Sequence, residues 1–346
     1  MEEFTDIFLM LLLVAGSLAV LYVRNLFVAT MLLSAVSFLM ALLFVTLDAV
    51  DVAFTEAAVG AGISTVLYLG TLALVGSNER PTAKLSVIPL LLSLSIGGAL
   101  VYATFEMPTI GSPDTPVQTS NVTKRFVEVS PIEIGIPNMV TSVLASYRGF
   151  DTFGETTVVF TAAIGVLLIL SQKHIRRRED DEEDSTPRPA VSVEKSHDQV
   201  GSPHDLIPHV VSKILIPFIF LFAFYVQFHG DFGPGGGFQA GVIMAAGFIL
   251  YSLIFGLHIT KQILPLRVVE LFLAFGVLLY GGVGIVSMIK GGNFLDYNVL
   301  SADPIAGQHI GILLVELGVG ITVTAAMLAI FYGFAGRAQG RGKDVN

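Results

Sequence analysis

The 346-residue chain contains no cysteine and no tryptophan, and only 14% of its residues are charged. Without cysteine it can form no disulfide, no thiolate-held iron–sulfur cluster and no cysteine-bound zinc site. Any redox centre that works with this chain must sit on a partner. Soluble domains carry roughly 25% charged residues, so a shortage of this size weighs against a soluble enzyme. Basic residues are scarce as well, 19 Lys and Arg against 28 Asp and Glu, which leaves no footprint for nucleic acid. The net charge of −9 is mostly local: Glu179, Asp180, Asp181, Glu182, Glu183 and Asp184 supply six of those charges in one tract.

What the chain has instead is apolar length. Hydrophobic residues make up 53% and the mean hydropathy is +0.76. A membrane helix needs roughly 20 mainly apolar residues. Nine stretches meet or approach that: Ile7–Val23, Leu26–Leu47, Ala57–Gly76, Val87–Phe105, Thr156–Leu170, Ile214–Phe228, Phe238–Leu257, Leu264–Met288 and His309–Phe334. The fifth and sixth are short, about 15 residues. Glu2, Glu3 and Asp6 stand where a cleavable signal has basic residues, so the first helix is expected to be retained. The expected fold is an all-α polytopic membrane protein with nine spans. With the amino terminus outside and the carboxyl terminus cytoplasmic, 15 of the 19 Lys and Arg fall on inner connections. Lys124, Arg125, Arg148 and Lys290 fall outside.

Two long connections divide the chain. Residues 106–155 are punctuated by Pro108, Pro113, Pro116, Pro131 and Pro137. Residues 172–212 run from a basic patch through the acidic tract and read as a solvated, disordered linker. Before the fifth span, Val140, Val143, Leu144 and Tyr147 fall at helical spacing, which predicts a short amphipathic helix at the outer interface. Arg148, Asp151 and Glu155 share one face there and suggest an ion-pair network.

Ionisable residues inside a span cost about 2.5–3.5 kcal/mol on insertion scales. Three glutamates therefore ask for a role. Glu316 lies seven residues into the last span, between Gly311, Gly318 and Gly320. Glu270 lies near the inner start of the eighth, and Glu56 at the outer start of the third, after Asp51. Each serves either as an interhelical anchor or as part of an ion or proton path. Glu56, Gly60, Ser64 and Tyr68 fall on one helix face, and Gly60 with Gly62 makes that helix easy to bend or bulge. The sharpest local signal is His229-Gly-Asp-Phe-Gly-Pro-Gly-Gly-Gly-Phe-Gln239. Gly235, Gly236 and Gly237 suit a tight turn packed on a neighbour; a phosphate loop would need a following Lys-Ser/Thr. His229 and His309 cap outer helix ends and could meet, but the histidines have no convincing ligand spacing. No metal, no cofactor and no catalytic group is expected.

Asp51 to Leu67 resembles the carboxyl-terminal region of the A subunit of Mrp-type Na⁺/H⁺ antiporters, an element shared with small membrane subunits of energy-converting hydrogenases. Asn138 to Gly165 resembles the next part of that region; Phe228 to Gly241 with Gly311 to Gly320 resembles the B subunit. The resemblance implies an accessory subunit of a complex that exchanges cations for protons, with Na⁺ and H⁺ transported and membrane lipid around it. Its partners would include the large antiporter-like subunits, whose intramembrane lysines have no counterpart here. It also implies an α-to-π change in the third span, like that of a complex I membrane helix. It makes Glu56 the first candidate for the path, Glu316 and the glycine turn weaker ones. On this view residues 1–105 form a three-span module like the tail of the A subunit, plus the fourth span. Residues 106–172 hold the outer loop, amphipathic helix and fifth span, 173–212 the acidic cytoplasmic linker, and 213–346 a four-span domain like the B subunit. Two other readings stay open: a membrane subunit of a hydrogenase or ferredoxin-linked complex, and a scaffold without its own ion path.

Overall fold

The computed structural model describes residues 2–79, 87–109, 111–183 and 203–342. Among them, nine helices are long and apolar enough to cross a membrane: α1 (Phe4–Tyr22), α2 (Leu26–Thr46), α3 (Val50–Val75), α4 (Val87–Thr104), α5 (Gly149–Leu170), α6 (Ile207–His229), α7 (Gly237–Phe255), α8 (Leu266–Ile289) and α9 (Pro304–Arg337). There is no β-strand among the described residues, only an isolated antiparallel bridge between Asn25 and Asn78. Asn25 also caps α2, its Oδ1 accepting from the Phe27 and Val28 amides.

The spans differ from the hydropathy pattern where polar residues can be absorbed by the helix itself. α5 is 22 residues and α6 is 23, not about 15. In α5, Thr156, Thr157 and Thr161 each donate a hydroxyl to the carbonyl one turn back, at 2.7–2.8 Å. That satisfies the hydroxyls locally and lets a polar stretch join an apolar helix. α3 starts at Val50 instead of Ala57, so Glu56 lies inside the helix, not at its end. Much of the acidic linker lies outside the described residues. Of the rest, residues 173–183 continue the helix of α5 to Glu183, and the helix of α6 already starts at Pro203.

Residues Ala57–Ile63 of α3 are a π-helix. Its wider turn carries no side-chain bulk at Gly60 and Gly62, and it re-routes backbone bonds. The Ser64 amide reaches the Val59 carbonyl, five residues back. The Ala61 carbonyl accepts from Thr65 Oγ1 and, across to α2, from Ser34 Oγ, both at 3.0 Å.

α9 is the most buried span, and α7, α8, α5 and the end of α3 pack around it. Close approach is possible because the contacts are glycine on glycine. A Cβ on Gly318 would stand 2.8 Å from the Gly276 carbonyl of α8, and one on Gly241 of α7 would stand 2.7 Å from the Gly320 carbonyl. Opposite faces of one turn of α9 thus meet two helices just beyond Glu316. α4 is the other extreme, with every side chain exposed.

The stretch before α5 is not a regular amphipathic helix. It is a turn of α-helix (Met139–Thr141) followed by a π-helix (Ser142–Tyr147). The wider π turn rotates the buried face to Thr141, Ser142 and Ala145, leaving Leu144 partly exposed. Tyr297 and Tyr280 hold this stretch down, donating to the carbonyls of Ala145 at 2.9 Å and Gly149 at 2.7 Å.

Candidate ion-path site

Between the two halves of the chain lies a cavity of about 350 Å³. α3 contributes Asp51 and Thr55, the 139–147 stretch Thr141, α5 Thr152, Glu155 and Thr156, α7 Gln239, α8 Tyr280 and α9 Glu316. Three carboxylates therefore face one space, joined by hydroxyls and an amide, with valines between them. Among the described residues no three His, Asp or Glu side chains sit close enough together to hold a metal ion. The carboxylates are separate stations around the cavity. Such an arrangement can pass a proton or a partly hydrated cation between stations, since each carboxylate can exchange its proton for the ion.

The glycine turn forms the wall next to Glu316. Gly236 has φ +114°, a region that side-chain-bearing residues avoid, and it caps the start of α7. A Cβ on Gly236 would stand 3.1 Å from Glu316 Oε1, and one on Gly230 would stand 3.3 Å from Oε2. A Cβ on Gly237 would collide with the Glu316 backbone carbonyl. The turn is glycine-rich because backbone and carboxylate share this space. It also sets Glu316 near the amino-terminal end of α7, where the helix dipole favours negative charge.

Asn138 ties the turn to the first half. Its Nδ2 lies 3.0 Å from the Gly230 carbonyl, 2.9 Å from that of Gly233 and 3.3 Å from Asp51 Oδ1. Its backbone amide donates to the Asp231 carbonyl at 3.0 Å. Thr141 Oγ1 adds a bond of 2.6 Å to the Gly230 carbonyl. At the turn's outer edge, His309 Nδ1 stands 3.7 Å from Asp231 Oδ2. Burial pushes the Asp231 carboxyl above its ordinary range, and His309 offsets part of this. His309 is inside α9, five residues from its start; His229 instead stacks on Tyr225.

Of the residues singled out from sequence, Asp51, Glu155, Glu316 and the Gly235–Gly237 turn come together here. Glu56, Ser64 and Glu270 do not line the cavity. Glu56 stays at the π-helix, where a Cβ on Gly60 would meet both its Oε1 and Ser37 Oγ. Glu270 is exposed on α8. In the suspected ion-pair network, Arg148 pairs with Asp151, Nη2 to Oδ2 at 2.5 Å, while Glu155 faces the cavity. Asn138, Thr141, Thr152, Thr156, Gln239 and Tyr280 are site residues that the sequence pattern did not single out. For α5 the signal was present: Thr152, Glu155, Thr156 and Val159 recur at the three- and four-residue spacing of one helix face.

Residues 207–329 match the family model described as a domain related to the MnhB subunit of Na⁺/H⁺ antiporter. The putative mnhB2 antiporter subunit of Staphylococcus haemolyticus (strain JCSC1435) is 32% identical over 136 residues, 38% of this chain and 96% of the relative. The chain belongs to the MnhB-related family of antiporter subunits. Its first half matches two further family models, those of the MBH subunits MbhD over residues 11–77 and MbhE over residues 87–187. Both kinds of sequence occur together in the A/B subunit of a probable K⁺/H⁺ antiporter from Rhizobium meliloti (strain 1021), 27% identical over 84% of this chain. This chain spans 30% of that relative's length. Among solved structures, the Mrp complex from Dietzia sp. DQ12-45-1b superposes with a TM-score of 0.72 at 26% identity. That match covers 95% of this chain and 34% of the other. An archaeal membrane-bound sulfane sulfur reductase superposes at 0.52 and 28% identity, over 72% of this chain.

Proposed function

We propose that this chain is a membrane subunit of a multisubunit monovalent cation/proton antiporter and that the cavity is part of its ion path. The supporting observation is the meeting of Glu316, Glu155 and Asp51 in one space formed by both halves. A scaffold has no need to bring three carboxylates from three helices to one cavity, at the cost each carries within a bilayer. The chemistry is exchange of proton and cation on carboxylates, with proton influx coupled to cation efflux and no covalent step. Transport instead of catalysis agrees with the names of the relatives. Since the chain spans about a third of the Rhizobium relative and of the matched Mrp chain, other Mrp-type subunits, the large antiporter-like ones included, would supply the remaining machinery. The plasma membrane is the proposed location. The charge distribution supports an outer amino terminus and a cytoplasmic carboxyl terminus; modules over 1–105, 106–172 and 213–346, with 173–212 as the acidic connection, belong to the same proposal.

The resemblance to the sulfane sulfur reductase favours one second reading, a redox-driven complex that uses the same membrane modules. The test is cation-induced collapse of a pH gradient in inverted vesicles holding the whole complex. Glu316→Gln, with the set of assembled subunits unchanged, should lower Na⁺- or K⁺-dependent exchange at least about tenfold, a barrier change of about 1.4 kcal/mol. Full exchange by that variant would refute the path through Glu316. Co-purification of cluster-bearing proteins, with no cation-dependent exchange in wild type, would favour the redox reading.

A further inference from the structure

Next to the carboxylate cavity, on the side of the 106–155 connection, lies a second and polar pocket of about 390 Å³. Glu133, Ser146, Tyr147, Asp296, Asn298 and Gln308 line it. These side chains are tied together. Ser146 Oγ donates to Gln308 Oε1 at 2.7 Å, Gln308 Nε2 donates to Asn298 Oδ1 at 3.0 Å, and Arg125 Nη2 holds Glu133 Oε1 at 2.9 Å.

One layer of protein separates this pocket from the cavity. Leu144 and Ala145 line the cavity, while the next two residues, Ser146 and Tyr147, line the pocket. Successive helical residues turn by about 100°, so this π-helix has one space on each flank. Asp296 and Asn298 line the pocket too, and Tyr297 between them is fully buried. Its ring lies against Gly311 of α9, where a Cβ would collide with it. Gly311 stands between Gln308 of the pocket and Val315 of the cavity, which are two turns of α9 apart, about 10 Å. Tyr297 thus fills the interval. Its hydroxyl donates to the Ala145 carbonyl at 2.9 Å. A Cβ on Gly149 would stand 3.2 Å from Tyr297 Oη and 3.7 Å from Tyr280 Oη, so the two hydroxyls are neighbours, and Tyr280 lines the cavity.

We infer, resting on the reading of the cavity as the ion path, that the polar pocket is the outer vestibule of that path and Tyr297 the plug between the two. An ion path needs water at its end, and in the proposed orientation the pocket supplies it on the outer face. The ring closes the interval as apolar constrictions close channels. The Tyr297 and Tyr280 hydroxyls put oxygen where a proton or a partly dehydrated cation crosses. The π turn supplies the movement: its return to α geometry rotates Ala145 away from the Tyr297 hydroxyl and releases the ring.

The chain has no cysteine, so Val315→Cys gives it a single thiol beside Glu316, at a position 1% exposed. In cells holding the complete complex, a membrane-impermeant cationic methanethiosulfonate reagent should label that thiol slowly. Adding Tyr297→Ala should raise the rate from outside at least about tenfold, and leave the rate from the cytoplasmic face, read in inverted vesicles, unchanged. Tyr297→Phe, which keeps the ring, should stay within about threefold of the rate with Tyr297. No rise with Tyr297→Ala, or an equal rise from both faces, overturns the plug, and so does fast labelling with Tyr297 in place. A second measurement leaves Tyr297 untouched. Asn298→Cys, labelled on cells with a bulky impermeant maleimide, should lose cation-dependent exchange several-fold against the same variant unlabelled. Equal exchange after complete labelling overturns the vestibule. The labelling rate of Val315→Cys does not require transport, so the two failures stay distinct. Full exchange by Glu316→Gln refutes the path through Glu316, whereas unchanged labelling beside an inactive Glu316→Gln refutes only the plug.

Discussion

Gln239 Nε2 donates to Thr55 Oγ1 at 2.8 Å across 184 positions of sequence. The bond joins the first turn of α7 to the second turn of α3 at the edge of the carboxylate cavity. Both residues line that cavity, and Gln239 is 8% exposed. The halves matched by different family models are thus registered against each other at the site itself. Thr55→Val leaves the glutamine amide unbonded and Gln239→Leu removes the bond from the other side. Each should cost about 1–3 kcal/mol. Because they break the same bond, the double variant should lose no more than the worse single. The midpoint of heat-induced loss of the intact complex measures this; additive losses would mean the two residues act independently.

Backbone contact at the glycine turn is less forgiving than a side-chain bond. Gly237→Ala drives a methyl into the Glu316 carbonyl, and neither backbone can move without opening the α7–α9 crossing. Overpacking of this kind costs about 1–3 kcal/mol or more, so the assembled complex should fall several-fold in yield. Gly154→Ala is the control, since a Cβ there meets nothing within 4 Å and alanine favours the helix by about 1 kcal/mol. Equal yields of the two variants would show that α7 and α9 have room to separate.

At Asp231 the sign of a pH effect can be fixed. Burial raises this carboxyl above its ordinary range in the folded protein, while His309 lowers it in part. Below the ordinary aspartate range both folded and unfolded chains hold the proton, and the group is neutral to stability. As pH rises through that range the unfolded chain releases its proton first, so folding is increasingly disfavoured until the folded group ionises too. Asp231→Asn should therefore raise the heat stability of the complex near neutral pH, with the gain shrinking as pH falls. The Asn138 bond survives, because it uses the Asp231 backbone carbonyl. His309→Asn removes the offset and should lower stability near neutral pH. A gain for Asp231→Asn that grows toward acid would contradict the burial account.

The spans were legible in the sequence because hydropathy alone decides them, and the glycine turn because three consecutive glycines have few other uses. The π-helix was foreshadowed by Gly60 and Gly62. The ends of α3 and α5 were hidden by Asp51, Thr152 and Glu155, which look like loop residues until helix back-bonding and a shared cavity absorb them. Convergence was not legible at all. Asp51, Glu155 and Glu316 are each more than 100 positions from the next, and only the packing of α3 and α5 against α9 brings them to one space.

The cavity also reorders the glutamates. Glu56 is one residue from Thr55, about 100° around α3, and its carboxylate sits between α3 and α2 beside Ser37 and Gly60. A proton taken up there has no route along the cavity wall, because Glu56 is not part of that wall. The π-helix offers it one hydroxyl neighbour and the re-routed carbonyls of a widened turn. Glu155, in contrast, shares its space with Glu316 and with the hydroxyls of Thr152 and Thr156. In gradient-collapse assays on intact complex, Glu155→Gln should lower exchange by about the factor expected for Glu316→Gln, roughly tenfold. Glu56→Gln should keep more than about half of wild-type exchange, because amide and carboxylate fit the same space at a π-helix. The opposite ranking would move the path to the α2–α3 face and make the three-carboxylate cavity a structural joint between the halves.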